Sequence, residues 1–260
     1  MTLSPDRLAR FARHIVLPEV GGVGQMALAG AHVVLVGCGG IGSPALQYLA
    51  AAGIGRLTLI DDDTVEASNL QRQTIFAEAD IGAPKAEAAA RWVARFDPTI
   101  AVTAHRTRIT AANAAALVAG ATVVLDGCDN FATRLAVSDA CVAAGVPLAS
   151  AAVGRFQGQV ANFAGHLPDH ACYRCFVGDA FDAADCDTCA ADGVLGAFVG
   201  MVGTMAAMAA IRVVLWAAGA PGPLADPQWG QLHLVDGLAM TTRAITIPAD
   251  PACPACASVA

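Results

Sequence analysis

The sequence predicts an α/β fold: a Rossmann-like, doubly wound, mostly parallel sheet extended by antiparallel C-terminal strands. Three observations predict it. The run "AHVVLVGCGGIGSPALQYLAAAGIGRLTLIDDD" reads as apolar strand, glycine turn, Ala-rich helix and second apolar strand, which is a βαβ unit. Two further buried strands, "TVVLDGCDN" and "VPLASAAVG", stand on either side of a helix from about Phe131 to Ala144, and alternation of this kind belongs to parallel sheets. Near the C-terminus "QLHLVD" and "RAITIPAD" alternate as antiparallel strands with one wet face do.

Composition agrees with a folded enzyme-sized chain. Its 260 residues are 56% hydrophobic and only 14% charged, far from a disordered composition. A net charge of −7 leaves no basic footprint for a phosphate backbone, which excludes nucleic acid as a partner class. The N-terminus carries Arg7, Arg10 and Arg13 but no apolar signal core, so a cytoplasmic location is expected. The apolar run from Val194 to Ile211 has the length of a membrane span, with Gly196 and Gly200 at helix-packing spacing. It is Ala- and Gly-rich and Arg212 follows at once, which favours a buried helix.

We read the chain as a single domain over 1–260. A nucleotide-binding part spans 1–166, a cysteine-bearing loop 167–193, and the buried helix, last strands and closing cysteines 194–260.

The glycine turn carries the first chemistry. Gly37, Gly39 and Gly42 form G-x-G-x-x-G between strand and helix, where backbone can approach a phosphate, and Asp61 ends the next strand, where it can accept from a ribose. The pattern does not choose the nucleotide, so a nicotinamide-dependent oxidoreductase is a rival reading. Arg72 and Lys85 follow closely, two cations able to neutralise a triphosphate, although either alone reads as a surface charge. Asp129, at the end of a buried strand, suits magnesium or, alternatively, the cap of the following helix. Asp126 reads as structural.

Nine cysteines in a chain of this kind point to metal or catalytic use rather than a disulfide framework. "CYRC" at Cys172 and Cys175 and "CPAC" at Cys253 and Cys256 offer four thiolates for a structural zinc site. A third pair, Cys186 and Cys189, could be a competing ligand pair, a redox pair or the source of a nucleophile. Cys38, Cys128 and Cys141 read as small buried residues.

Taken in order, "GCGGIGSPALQYLAAAGIG", "SNLQRQ", "IGAPK", "DGCDNFATR", "RFQGQV", "CYRC", "CAADGVLG" and "CPAC" closely resemble the ThiF/MoeB/HesA family over nearly the whole chain. These are ubiquitin-activating-enzyme-like adenylyltransferases. The resemblance implies ATP-dependent adenylation of the C-terminal glycine of a small ubiquitin-fold sulfur carrier ending in Gly-Gly. The molybdopterin pathway is the first expectation and the thiamine thiazole pathway the near alternative; an inactive carrier-binding scaffold is a third possibility. It further implies that Gly40 and Asp61 contact ATP, with Gly37, Gly39, Gly42, Asn69 and Asn130 completing the nucleotide set. Arg72 and Lys85 would take the phosphates and Asp129 the magnesium. Arg13 would reach the ATP of a second copy in a homodimer, and Cys172, Cys175, Cys253 and Cys256 would hold zinc. Cys189 matches a loop cysteine that is catalytic in some members only. A separate protein is expected to donate the sulfur. Two departures stand out: Asp62, where an apolar or aromatic residue is common, and the extra thiol of Cys186.

Overall fold

The computed structural model describes residues 3–178 and 193–257. Five strands run parallel: β1 (His32–Val36), β2 (Arg56–Ile60), β3 (Ala101–His105), β4 (Val123–Asp126) and β5 (Leu148–Gly154). Three more, β6 (Gln157–Phe163), β7 (Gln231–Asp236) and β8 (Thr241–Thr246), extend the sheet antiparallel. The order is β3-β2-β1-β4-β5-β6-β7-β8. The change of direction has a local cause. Only Arg155 and Phe156 separate β5 from β6, and Arg155 turns the chain at a φ of 49°, a hairpin that forces antiparallel pairing. The parallel strands need crossovers, supplied by α4 (Gly42–Ala52), α5 (Lys85–Phe96), α6 (Ala114–Val118) and α7 (Phe131–Ala144).

β1 shows why the sheet is covered on both faces. Val33 and Leu35 join one core with Leu46, Leu57 and Val202, while Val34 and Val36 join the other with Val124 and Val137. A strand whose two faces are both buried reads as an unbroken apolar run rather than an alternating one.

The apolar helix expected after Val194 is α9 in a full helix series: α1 (Pro5–Arg10), α2 (Ala12–Ile15) and α3 (Gly21–Gly30) precede the sheet, α8 (Tyr173–Val177) follows β6, and α9 spans Gly196–Ala217. Long and apolar enough to cross a membrane, α9 instead buries Val199, Val202, Ala206, Ala210 and Val213 against α4 and strands β4 to β6. Its close-packing glycines are only partly those the spacing indicated. A Cβ on Gly196 would lie 2.1 Å from the Gln71 carbonyl oxygen and one on Gly203 2.6 Å from that of Ile41, whereas Gly200 faces open space.

The N-terminal helices are fastened from below. Phe11 is buried against Gly53, Arg7 pairs with the buried Asp97 after α5, and Arg10 stacks over Phe96. β3 and β6 carry no strong strand signal in the sequence. Two expectations need correction. β8 does not have one buried face; all six of its residues are exposed. Asp129 does not cap α7, since Asn130 accepts the Thr133 N–H at 2.9 Å.

Candidate active site and metal centre

From β1 the chain winds outward through β2 to β3, then crosses back to lay β4 on the other side of β1. The order reverses there, and a crevice opens beyond the carboxyl ends of these two strands. The two loops leaving them are in contact. Gly37 adopts a φ of 85°, and a Cβ there would meet the Cys128 backbone at 3.2 Å. Gly42 is tighter still: a Cβ would sit 1.9 Å from the Gly37 carbonyl oxygen. No described side chain caps α4, so the positive end of its dipole is left toward the crevice.

Asp61 fixes this turn. Its carboxylate accepts the Cys38 N–H at 2.7 Å and the Asp63 N–H at 2.9 Å. Burial raises its pKa in spite of those two donors.

The crevice is a cleft of about 460 Å³. Among the expected site residues Gly37, Gly39, Gly40, Arg72, Lys85 and Asp129 line it. Lys85 opens α5 with its side chain buried, and its Nζ donates to Asp63 Oδ2 at 2.8 Å. Arg72 donates to the Ser68 carbonyl at 3.1 Å and leaves its remaining donors for the cleft. The other expected residues do not line it. Gly42 and Asp61 shape the turn, Asn69 is buried and accepts the Glu66 N–H at 3.2 Å, and Asn130 caps α7. Arg13 is exposed on α2 and does not line the cleft of its own chain. Asp62 faces Arg108 at 3.0 Å. A smaller cavity of about 180 Å³, between α9 and strands β6 and β7, holds none of the expected residues.

Sequence reasoning missed part of the lining: Asp63, Arg134 and Tyr173 face the cleft. Arg134 is buried, donates to the carbonyls of Cys128 and of Ala151 (2.7 Å), and lies 3.6 Å from Asp126. The available signal was Asp126 itself, since a carboxylate ending a buried strand needs a cationic partner, and Arg134 follows one turn into the next helix. Cys128, expected to be buried, lines the cleft, while Cys38 and Cys141 are buried as expected. Burial pushes the thiols of Cys38 and Cys128 far up, which makes both poor nucleophiles.

The four cysteines singled out for zinc come together. Cys172 and Cys175 lie 3.8 Å apart at sulfur, Cys172 and Cys253 3.6 Å, and Cys175 and Cys256 3.4 Å. A tetrahedron with Zn–S bonds of about 2.3 Å has edges near 3.8 Å, so the set fits this ion. The Asp250 N–H, 3.4 Å from Cys175 Sγ, supplies the kind of donor that steadies a thiolate. Burial pushes Cys172 up and Cys256 to about 12, whereas backbone N–H groups outweigh burial and lower Cys253, so metal entry must displace protons. Cys186 and Cys189 lie outside the described residues.

The ThiF family model matches residues 11–255. The chain belongs to the ThiF family. This ThiF-family protein is 42% identical over 258 residues to the SAMP-activating enzyme E1 of Haloferax volcanii, an alignment covering 98% of this chain and 92% of that one. It is 40% identical over 261 residues to the sulfur carrier protein adenylyltransferase of Thermus thermophilus, covering 98% and 93%. Its fold is also that of Escherichia coli MccB crystallised with MccA, with a TM-score of 0.81 at 22% identity over 98% of this chain and 75% of that one. The ThiF-family protein is an adenylyltransferase, which sets aside the oxidoreductase and scaffold readings, and ATP use follows from that class.

Proposed function

We propose that this ThiF-family protein adenylates the C-terminal glycine of a ubiquitin-fold sulfur carrier, and that the carrier serves molybdopterin synthesis. The observation that carries the reading is the convergence of the glycine turn, Arg72, Lys85 and Asp129 on one cleft at the switch point of the sheet. The relatives named for SAMP activation and for sulfur-carrier adenylation support the carrier class, and the molybdopterin branch is carried over as the first expectation of the resemblance. A thiazole-pathway carrier is the second reading.

The chemistry follows from charge. A carboxylate oxygen of the carrier's last glycine attacks the α-phosphorus of ATP. The bond from that phosphorus to the bridging oxygen breaks, and pyrophosphate leaves with the electron pair. Negative charge grows on the departing oxygens, where Lys85 and Arg72 stand as fixed cations and the N-terminus of α4 offers its N–H groups. Lys85 is held against Asp63 until phosphate oxygens share its donors. Asp61 serves the ribose from beneath the turn. Asp129 offers an exposed carboxylate suited to magnesium, which when bound neutralises phosphate charge. Arg13 of a second copy completes the site, which makes the working unit a homodimer. Zinc on Cys172, Cys175, Cys253 and Cys256 secures the C-terminal turn. The acyl adenylate is then open to sulfur from a separate donor protein, with Cys189 a candidate relay, and all of this proceeds in the cytoplasm.

The test is ATP–pyrophosphate exchange with magnesium, offering in turn the host's ubiquitin-fold proteins that end in Gly-Gly. Exchange that depends on one carrier and vanishes in Arg72→Ala, while carrier binding persists, is the expected result and names the pathway. Full exchange in Arg72→Ala would overturn the assignment.

A further inference from the structure

Asp129 reaches the cleft from the loop between β4 and α7, and short loops do not hold a side chain in place unless something holds the loop. Here the residue immediately before it is gripped on both sides. The Cys128 N–H donates to Asp126 Oδ1 at 3.0 Å. The Cys128 carbonyl accepts from Arg134, whose guanidinium also donates to the Ala151 carbonyl of β5 at 2.7 Å and approaches Ser150 Oγ at 3.4 Å. Asp126 and Arg134 face each other at 3.6 Å with both side chains buried. A guanidinium can bridge two carbonyls in fixed directions because its donors form a rigid planar fork; an ammonium carries the same charge without that geometry.

We propose that Arg134 is a positioning residue, fixing the Cys128 carbonyl so that Asp129 meets the divalent cation carried by the nucleotide. The inference rests on the assignment of Asp129 above and deepens it. The Asp126–Arg134 pair is buried. Tyr173 lines the cleft beside Arg134, one residue after Cys172. The grip joins the β4–α7 loop to β5.

Manganese replaces magnesium as a visible probe. Full-length, zinc-loaded protein saturated with a non-hydrolysable ATP analogue is titrated with Mn²⁺, and free Mn²⁺ is read by electron paramagnetic resonance. Arg134→Lys, checked for native near-ultraviolet circular dichroism, is expected to weaken Mn²⁺ binding about tenfold or more, while analogue affinity measured in a chelator stays within about twofold. Ser150→Ala, a milder change that removes the hydroxyl 3.4 Å from the Arg134 guanidinium and spares the charge pair, is expected to shift Mn²⁺ affinity in the same direction by a smaller factor. Mn²⁺ affinity equal to wild type in a folded Arg134→Lys protein overturns the proposal, as does wild-type affinity in Ser150→Ala where the lysine variant fails to fold. Asp129→Asn separates the two levels. If it too leaves Mn²⁺ affinity unchanged, the assignment of Asp129 falls; if it weakens binding while Arg134→Lys does not, only the positioning role falls.

Discussion

If zinc sits on the four cysteines as proposed, removing it should cost this protein far more than the loss of four sulfur contacts. Cys172 and Cys253 are separated by 81 residues, as are Cys175 and Cys256, so a metal on these four thiolates closes a long loop. Cross-linking 81 residues lowers the entropy of the unfolded chain by an amount worth about 4.5 kcal/mol at 25 °C in the chain-entropy treatment of cross-links. For a chain of this size that corresponds to a fall in Tm of roughly 10–20 °C. The assay is differential scanning calorimetry of holo protein against chelated, reduced protein, with metal content fixed by mass spectrometry. Replacing Cys172 and Cys175 together, Cys253 and Cys256 together, or all four by Ser should lose nearly the same stability, because removing either pair opens the loop and leaves the other pair nothing to close. A fall in Tm below about 2 °C on complete zinc removal would refute the reasoning. So would losses in the two paired variants that add in the fourfold one.

Other expectations follow from the same geometry. Arg13→Ala and Arg72→Ala proteins, each inactive alone, should recover about a quarter of wild-type exchange when mixed and allowed to reassociate, since half the dimers then hold one complete site; no recovery in mixed dimers would remove Arg13 from the partner's site. Asp97 is a third case: burial works to raise its pKa, but the Thr99 hydroxyl and the Arg7 guanidinium outweigh it and hold the carboxyl below its ordinary value. Its folded pKa being depressed, the contribution is full above the unfolded value near 3.9 and is lost as pH falls through the folded one. Asp97→Asn should therefore flatten the acid limb of a urea-midpoint against pH profile and cost about 3 kcal/mol at neutral pH by stranding the largely buried Arg7. Gly42→Ala should abolish binding of a fluorescent ATP analogue because its Cβ collides with the Gly37 carbonyl, whereas Gly40→Ala, whose Cβ meets side chains rather than backbone, Val199 at 2.9 Å and Arg72 at 3.6 Å, should weaken it less.

What the sequence made legible was what is encoded within a few residues. The glycine turn, the C-x-x-C pairs and the cations of "SNLQRQ" and "IGAPK" are local signals, and the structure brings Arg72, Lys85 and Asp129 to one cleft and the four cysteines into one cluster. Pairing across space was harder to read. Arg134 looks like one more charged helix residue until β5 places the Ala151 carbonyl against it. Asp63 looks like the tail of an acidic run until Lys85, held by its own N–H to the Asp63 carbonyl at 2.9 Å, swings its ammonium back to the carboxylate. β3 and β6 escaped notice for a related reason. The half-exposed "AVTAH" and the Gln- and Gly-bearing "QGQVANF" become strands because neighbouring strands offer them hydrogen bonds, a tertiary cause that overrides weak propensity.

The seating of α9 has a consequence for which sequences this protein can visit. Val199 lies against Gly40 of the phosphate turn, Gly196 against the Gln71 carbonyl beside Arg72, and Gly203 against the Ile41 carbonyl at the head of α4. A core helix thus packs directly behind the cleft, with Val199 in its wall. Most cores tolerate volume-conserving exchanges because nothing outside registers them. Here an exchange that shifts α9 by a few tenths of an ångström also moves the atoms that cradle phosphate. Variation on this face is therefore filtered by catalysis as well as by stability, and a library of α9 core variants should lose adenylation before it loses the fold.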